Sequence, residues 1–231
     1  MSETSRRISP IERLRMLDPV FSLGEMQSVC GLEYGLARLY ATRWTEKGYT
    51  RRFGQGVYFN LIRDEDAPET RRHEALRKLL GVPFVLVGGA AIHSAGWTTQ
   101  NHQRFEIAVP VTQGRFSLPS TEGDVMLTPR YVGWFKKLEA SAGTGHGDGM
   151  PTASPEYALA DALLSARRGL PSKRPVYAPP PDEVDMAEFD GEAFERLREA
   201  LFDLGANEDE IAELADPYGE SVTDSSKLIS Y

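Results

Sequence analysis

Between Phe21 and Phe59 the chain changes its hydrophobic period, and the change falls at Gly48. Before that glycine, Leu36, Leu39, Tyr40 and Trp44 recur at three- and four-residue spacings, the pattern of a helix with one buried face. After it, YTRR and GVYFN are short runs rich in Tyr, Phe and Val, and the FGQG between them carries the glycines of a tight hairpin. Gly48 stands where a helix stops in left-handed geometry. Upstream, Ser22 followed by Glu25 has capping-box spacing, and Gly31 supplies a turn into a second helix over about Glu33 to Lys47. Helix, turn, helix, strand, turn, strand is the order of a winged helix-turn-helix, expected over residues 10–63.

The later pattern alternates short apolar runs with amphipathic stretches. A charged connector, RDEDAPETRR, leads into a short helix over about Thr70 to Leu80, so residues 64–80 read as a link between domains. VPFVLVGGAAIHSAGW predicts a strand, a glycine turn and a helix. RFEIAVPV predicts a strand, TQGRFSL a surface hairpin, and Asp124 to Leu127 a further strand. In ASPEYALADALLSARRG, Ser154 is a candidate cap, Pro155 and Glu156 open the first turn, and Leu159, Ala162 and Leu163 form an apolar face. KRPVYAPPP marks a boundary or a strap. FDGEAFERLREALFDLGA is amphipathic on Phe194, Leu197, Leu201 and Leu204; a last helix is expected around Glu208 to Ala215, with a disordered tail after Asp216. The whole predicts an α+β fold: the N-terminal winged helix-turn-helix, then residues 81–231 as an α+β domain with a small sheet and acidic C-terminal helices.

Charge is distributed unevenly. The chain of 231 residues has 26 basic and 34 acidic side chains, a balance that taken alone argues against a polyanionic partner. Residues 1–63, however, hold 10 Lys or Arg against 6 Asp or Glu, whereas residues 181–231 hold 3 against 16. The acidity therefore sits away from the helix-turn-helix. There, Arg38, Arg43 and Lys47 lie on or beside the second helix, and Arg51, Arg52 and Gln55 lie on the wing. Guanidinium groups can read base edges or clamp phosphates, and Tyr34 and Thr42 add polar groups. These eight residues are the candidate DNA-binding set. The local excess is modest, so nonspecific affinity should be weak and salt-dependent, and two copies on one site would help.

Catalytic chemistry finds little support in the sequence. LVGGAA lacks both the G-x-G-x-x-G order and the GK[ST] of a phosphate loop. A nucleotidyltransferase-like reading needs a pair of convergent carboxylates, but the strand RFEIAVP offers Glu106 alone. Glu122 and Asp124 read as loop acids. Ser117 to Ser120 has no recognisable His and Asp partners, and His146 and Asp148 fall in the glycine-rich GTGHGDGM, which reads as a flexible loop. His73, His93, His102 and His146 show no metal-ligand spacing. Cys30, the sole cysteine, reads as a small buried filler in a reducing cytoplasm. No signal peptide or membrane-spanning stretch is evident. The expectation is a cytoplasmic, non-enzymatic protein with no cofactor or metal, whose second domain binds a partner, dimerises or senses a ligand.

Three segments carry a likeness to a known family. GYTRRFGQGVYF from Gly48 to Phe59, AAIHSAGWTTQ from Ala90 to Gln100 and SPEYALADAL from Ser154 to Leu163 resemble the AbiEi family, the antitoxin and transcriptional-regulator component of bacterial type IV toxin-antitoxin systems, over roughly residues 10–170. Trp97 stands where an aliphatic residue is commoner. The resemblance implies that the N-terminal domain binds inverted repeats in double-stranded promoter DNA and represses its own operon; two copies on such a site would form a homodimer on DNA. It also implies that the second domain supports neutralisation of a nucleotidyltransferase-like toxin, with or without a stable complex. A general winged-helix regulator with a ligand-sensing or protein-binding C-terminal domain is the alternative reading.

Overall fold

The computed structural model describes residues 8–100, 104–112, 117–144, 149–169, 176–185 and 188–228, the last eight as helix backbone alone. It is a mixed α+β protein with two three-stranded sheets in two units. One unit holds the described residues up to Gly81 together with Pro119–Gly123; the other holds Val82–Leu118 and the described residues from Asp124 onward. Segment 64–80, expected as a connector, thus folds as part of the first unit. The chain also returns to that unit between two strands of the second.

In the first unit, capping boxes start two helices. Ser9 and Glu12 exchange hydrogen bonds with each other's backbone at the start of α1 (Pro10–Arg15), and Ser22 and Glu25 do the same for α2 (Leu23–Cys30). Gly31, at φ +60°, ends α2, and after Leu32 and Glu33 the chain enters α3 (Tyr34–Glu46). At the end of α3, Gly48 takes φ +70° and the Tyr49 N–H closes on the Trp44 carbonyl at 2.9 Å, turning the chain into β2 (Thr50–Gly54). A tight turn at Gln55 and Gly56 returns β3 (Val57–Asn60) antiparallel to β2. A strand not anticipated from the sequence, β1 (Val20–Ser22), pairs with the far side of β3, giving the order β1-β3-β2.

The buried stripe of α3 differs from the expected one. Ala37, Ala41 and Trp44 face the core with Leu14, Leu17, Phe21, Met26, Cys30 and Tyr58, while Leu36 and Leu39 are 48% and 43% exposed. Alanines at i and i+4 let α3 approach its neighbours closely, so the small residues and not the leucines form the packing face. Tyr40 is half-buried and stacks on Trp44 at 5.7 Å between ring centroids. Cys30 is buried, and its thiol donates to the Arg13 carbonyl at 3.6 Å.

A short helix not anticipated from the sequence, α4 (Ala67–Thr70), stands within the charged connector, and the helix expected over about Thr70 to Leu80 follows it as α5 (Arg72–Leu80). The two break at Arg71, whose φ is −124°. α5 packs on β1 and β3, and Lys78 donates to the Glu25 carboxylate at the start of α2. On the outer edge of β2, Gln55 N–H donates to the Ser120 carbonyl at 3.0 Å, and Glu122 N–H donates to the Phe53 carbonyl at 2.8 Å. Pro119–Gly123 therefore covers the edge of the hairpin.

The second unit contains β4 (Val85–Val87), α6 (Gly88–Ser94), β5 (Phe105–Val111), β6 (Val125–Tyr131), α7 (Val132–Ser141), α8 (Pro155–Arg168), α9 (Gly191–Asp203) and α10 (Glu208–Leu228). Its sheet runs β4-β5-β6, antiparallel between β4 and β5 and parallel between β5 and β6. Parallel pairing excludes the expected hairpin between β5 and β6; Gln113 to Phe116 of that segment lie outside the described residues. Ser154 occupies the N-cap of α8 without a side-chain capping bond, and the helix is buried on several sides, including Asp161. α7 was not anticipated.

The C-terminal helix extends well beyond Ala215. It continues through Pro217 to Leu228, contrary to the expected tail. Proline removes one helical hydrogen bond, but the residues beside it are held by tertiary contacts. Tyr218 is buried and donates its hydroxyl to the Pro179 carbonyl at 2.7 Å, and Gly219 lies so close to Phe194 of α9 that an added Cβ would sit 2.8 Å from the ring.

Candidate nucleic-acid interface

A helix turns by roughly 100° per residue. With Ala37, Ala41 and Trp44 as the inner face of α3, Gly35, Leu39 and Glu46 point directly outward. Arg38 and Thr42 lie toward one flank, and Leu36, Arg43 and Lys47 toward the other. Arg38 and Arg43 are both exposed, on opposite sides of the outward face.

Tyr58 of the hairpin feels charges from both the hairpin and α3. Burial raises the pKa of its hydroxyl, and the nearby charges acting on it are those of Arg52, Glu122 and Arg38, followed by Tyr34. Tyr58 is the cross-strand partner of Arg52 and stacks on Phe21 at 5.6 Å. Its ring thus connects the core to a surface bearing Tyr34 and Arg38 from α3 and Arg52 from β2. Tyr34 is 57% exposed.

The other candidates are dispersed around this cluster. Arg51 follows strand alternation onto the opposite sheet face and pairs with Glu69 at 3.9 Å, both groups exposed. Gln55 is exposed at the hairpin turn. Thr42 donates its hydroxyl to the Arg38 carbonyl at 3.0 Å and lies one turn beyond Arg38. Among the described residues, no carboxylate lies within ion-pair distance of Arg38, Arg43 or Lys47, whereas Arg52 meets Glu122 at 3.2 Å. Glu122, read from the sequence as a loop acid, accordingly belongs to the surface of the hairpin.

The acidic segment has internal partners. Glu210 accepts from Arg168, which pushes its pKa down to about 2, aided by the Asn207 N–H. Glu213 pairs with Arg167 at 3.2 Å, Asp216 with Arg198 at 3.1 Å, and Asp203 with Lys137 at 3.2 Å. Part of the C-terminal charge is therefore met by basic groups of α7, α8 and α9.

Two buried polar assemblies hold the second unit. Glu106 accepts from the backbone N–H groups of Gly89 at 3.2 Å and Tyr177 at 3.1 Å, tying the GG turn to the proline-rich strap. A Cβ at Gly88, whose φ is +66°, would overlap that carboxylate. Arg130 forms two hydrogen bonds with Asp161, at 2.6 and 2.8 Å, and Trp134 donates to the same carboxylate at 2.7 Å. Among the described residues, no three His, Cys, Asp or Glu side chains are grouped to hold a metal ion, and no helix is long and apolar enough to cross a membrane.

Fold and surface together define a mixed α+β protein with a cationic, helix-bearing face. No family model matches the chain, and no curated protein matches it. Among solved structures it is similar to the RV2827C protein from Mycobacterium tuberculosis, with a TM-score of 0.50 and 15% sequence identity, over 90% of this chain and 79% of that one. At that identity the likeness concerns the fold alone.

Proposed function

We propose that this chain is a sequence-specific winged-helix autorepressor and the antitoxin of a type IV toxin-antitoxin system, neutralising a nucleotidyltransferase-like toxin. In this reading α3 is the recognition helix and the β2–β3 hairpin is the wing. The observation that carries the DNA-binding half is that Arg38, Arg43 and Lys47 stand exposed on α3 with no carboxylate at ion-pair distance among the described residues, in the unit whose hairpin carries exposed Arg51, Arg52 and Gln55. A helix that places cations on both flanks of its outward face can lie in a major groove while those flanks meet the phosphate rims. Inverted repeats would engage two copies. The antitoxin half is supported by the sequence resemblance at Gly48–Phe59, Ala90–Gln100 and Ser154–Leu163.

The test is binding of the purified protein to its own upstream DNA across a salt series, against scrambled DNA of equal length. Selective binding at moderate salt is expected. Binding that is equal on both DNAs and vanishes together with rising salt would reduce the reading to electrostatic attraction. Growth rescue on co-expression with an adjoining toxin gene checks the antitoxin half separately.

A further inference from the structure

Over its first two turns the outward face of α3 is apolar at its apex. Leu39 points directly away from the Ala37–Ala41–Trp44 face and is 43% exposed, with Leu36 beside it at 48%. Gly35, one turn before Leu39, shares this direction. Its φ is not positive, and a Cβ built on it meets nothing within 4 Å, so neither backbone geometry nor packing within the protein requires a glycine there. Helix propensity disfavours one, since alanine is the better helix former. An apolar apex with a bare position before it, bordered by exposed Arg38 and Arg43, fits a partner that is anionic at its rims and apolar at its floor.

We infer that Leu39 reads the 5-methyl group of thymine in the DNA major groove, with Gly35 allowing the start of α3 to approach the base edges. The inference rests on the DNA-binding reading above and adds a chemical class to it. Thymine is the base that presents a methyl group in the major groove, and apolar side chains recognise it by contact. The flanking arginines set the charge complementarity: Arg38 and Arg43 meet phosphates or guanines on either side while Leu39 lies at the floor. Glu46, the one carboxylate in α3, lies in its last turn, seven residues beyond Leu39 and away from the end that enters the groove.

The experiment replaces thymine by deoxyuridine, one position at a time, across the footprinted upstream DNA. Removing a contacted methyl should weaken wild-type binding by about fourfold at one or two positions in each half-site. L39A should bind the thymine DNA more weakly than wild type and lose the thymine-over-uracil preference at those positions. G35A should keep or raise the melting temperature while weakening selective binding. Deoxyuridine that is silent at every position, or an L39A variant that retains the full preference, overturns the inference while leaving DNA binding intact. An L39A variant that changes oligomeric state without changing the preference overturns it in favour of a second copy on this face. Absence of any sequence-selective binding by the wild type removes the underlying reading as well.

Discussion

Glu122 holds its carboxylate 3.2 Å from the guanidinium of Arg52, although 70 residues separate them in the chain. The pair is exposed, so its contribution to folding should be at most about 1 kcal/mol. Its electrostatic effect is larger for a polyanion, because Glu122 both neutralises Arg52 and repels phosphate. E122Q should therefore strengthen binding to DNA at low salt and steepen the salt dependence by about one phosphate contact. R52A should weaken binding, and E122Q added to R52A should then gain less than it does alone. Unchanged affinity and slope in E122Q would mean that Arg52 does not face the nucleic acid.

Arg38 and Arg43 make a separable pair of tests because they flank α3 on opposite sides. If either reads guanine through two hydrogen bonds, its alanine variant should lose about 1–3 kcal/mol and relax the preference at that base. A phosphate contact would instead weaken all DNAs alike and lower the salt slope by about one. Footprints and titrations with R38A and R43A distinguish these outcomes, and an affinity unchanged in both would place the interface elsewhere.

At Gly54 a structural requirement takes the place of a functional one. A Cβ there would lie 2.7 Å from the backbone carbonyl of Ser120 and 3.0 Å from Leu79. The carbonyl belongs to the segment covering β2 and accepts from Gln55, so it cannot yield without disturbing that hydrogen bond. G54A should destabilise the protein by about 1–3 kcal/mol, measured by urea unfolding, as an overpacked site does. Gly35 predicts the contrary sign, and comparing the two glycines separates a packing requirement from a surface one.

Local chemistry made the start of the first unit legible in sequence. Ser22 with Glu25, Gly31 and Gly48 each encode a helix end through their own backbone needs, and those ends are found where the spacing put them. The sequence leaves the buried face of α3 ambiguous because two registers satisfy the same period: Trp44 and Tyr40 pack on the core as their spacing predicts, but Ala37 and Ala41 take the places beside them and Leu36 and Leu39 stay exposed. The polar composition after Asp216 gives no sign that α10 continues, because the contacts that hold Tyr218 and Gly219 come from residues far away in the chain. The candidate cations could be named in advance. That one of them, Arg52, is paired with Glu122 from a later segment could not.

Glu25 and Glu106 should give stability opposite dependences on pH. Burial opposes ionisation of Glu25, but hydrogen bonds from Lys78 and Ser22 outweigh it and hold its pKa below the ordinary 4.5. Its contribution is present above the unfolded-state pKa and lost as pH falls through the folded one. Burial raises the pKa of Glu106 despite hydrogen bonds from Tyr177 and Gly89. Its contribution is fullest below the unfolded-state pKa and declines as pH rises through the folded one. Thermal unfolding from acid to neutral pH should show E25Q losing part of the fall below the ordinary carboxylate pKa of 4.5, and E106Q losing part of the decline that sets in above it. Parallel curves for both variants and the wild type would refute the assignment.

The buried Arg130–Asp161 pair predicts a difference between breaking an ion pair and replacing it. Both side chains are fully enclosed, and Asp161 also accepts from Trp134, so removing its carboxylate strands a guanidinium away from water. D161A should destabilise the chain by about 3–5 kcal/mol. Arg130 would retain only its hydrogen bond to the Pro129 carbonyl, at 2.9 Å. The double variant R130M/D161L removes both charges while keeping most of the volume, and it should recover much of the loss, because desolvation of the ions offsets a large part of their attraction. Urea unfolding of the two variants decides it. A double variant as unstable as D161A would mean that the Trp134 hydrogen bond to Asp161, which joins α7 to α8, and not charge pairing, carries the stability.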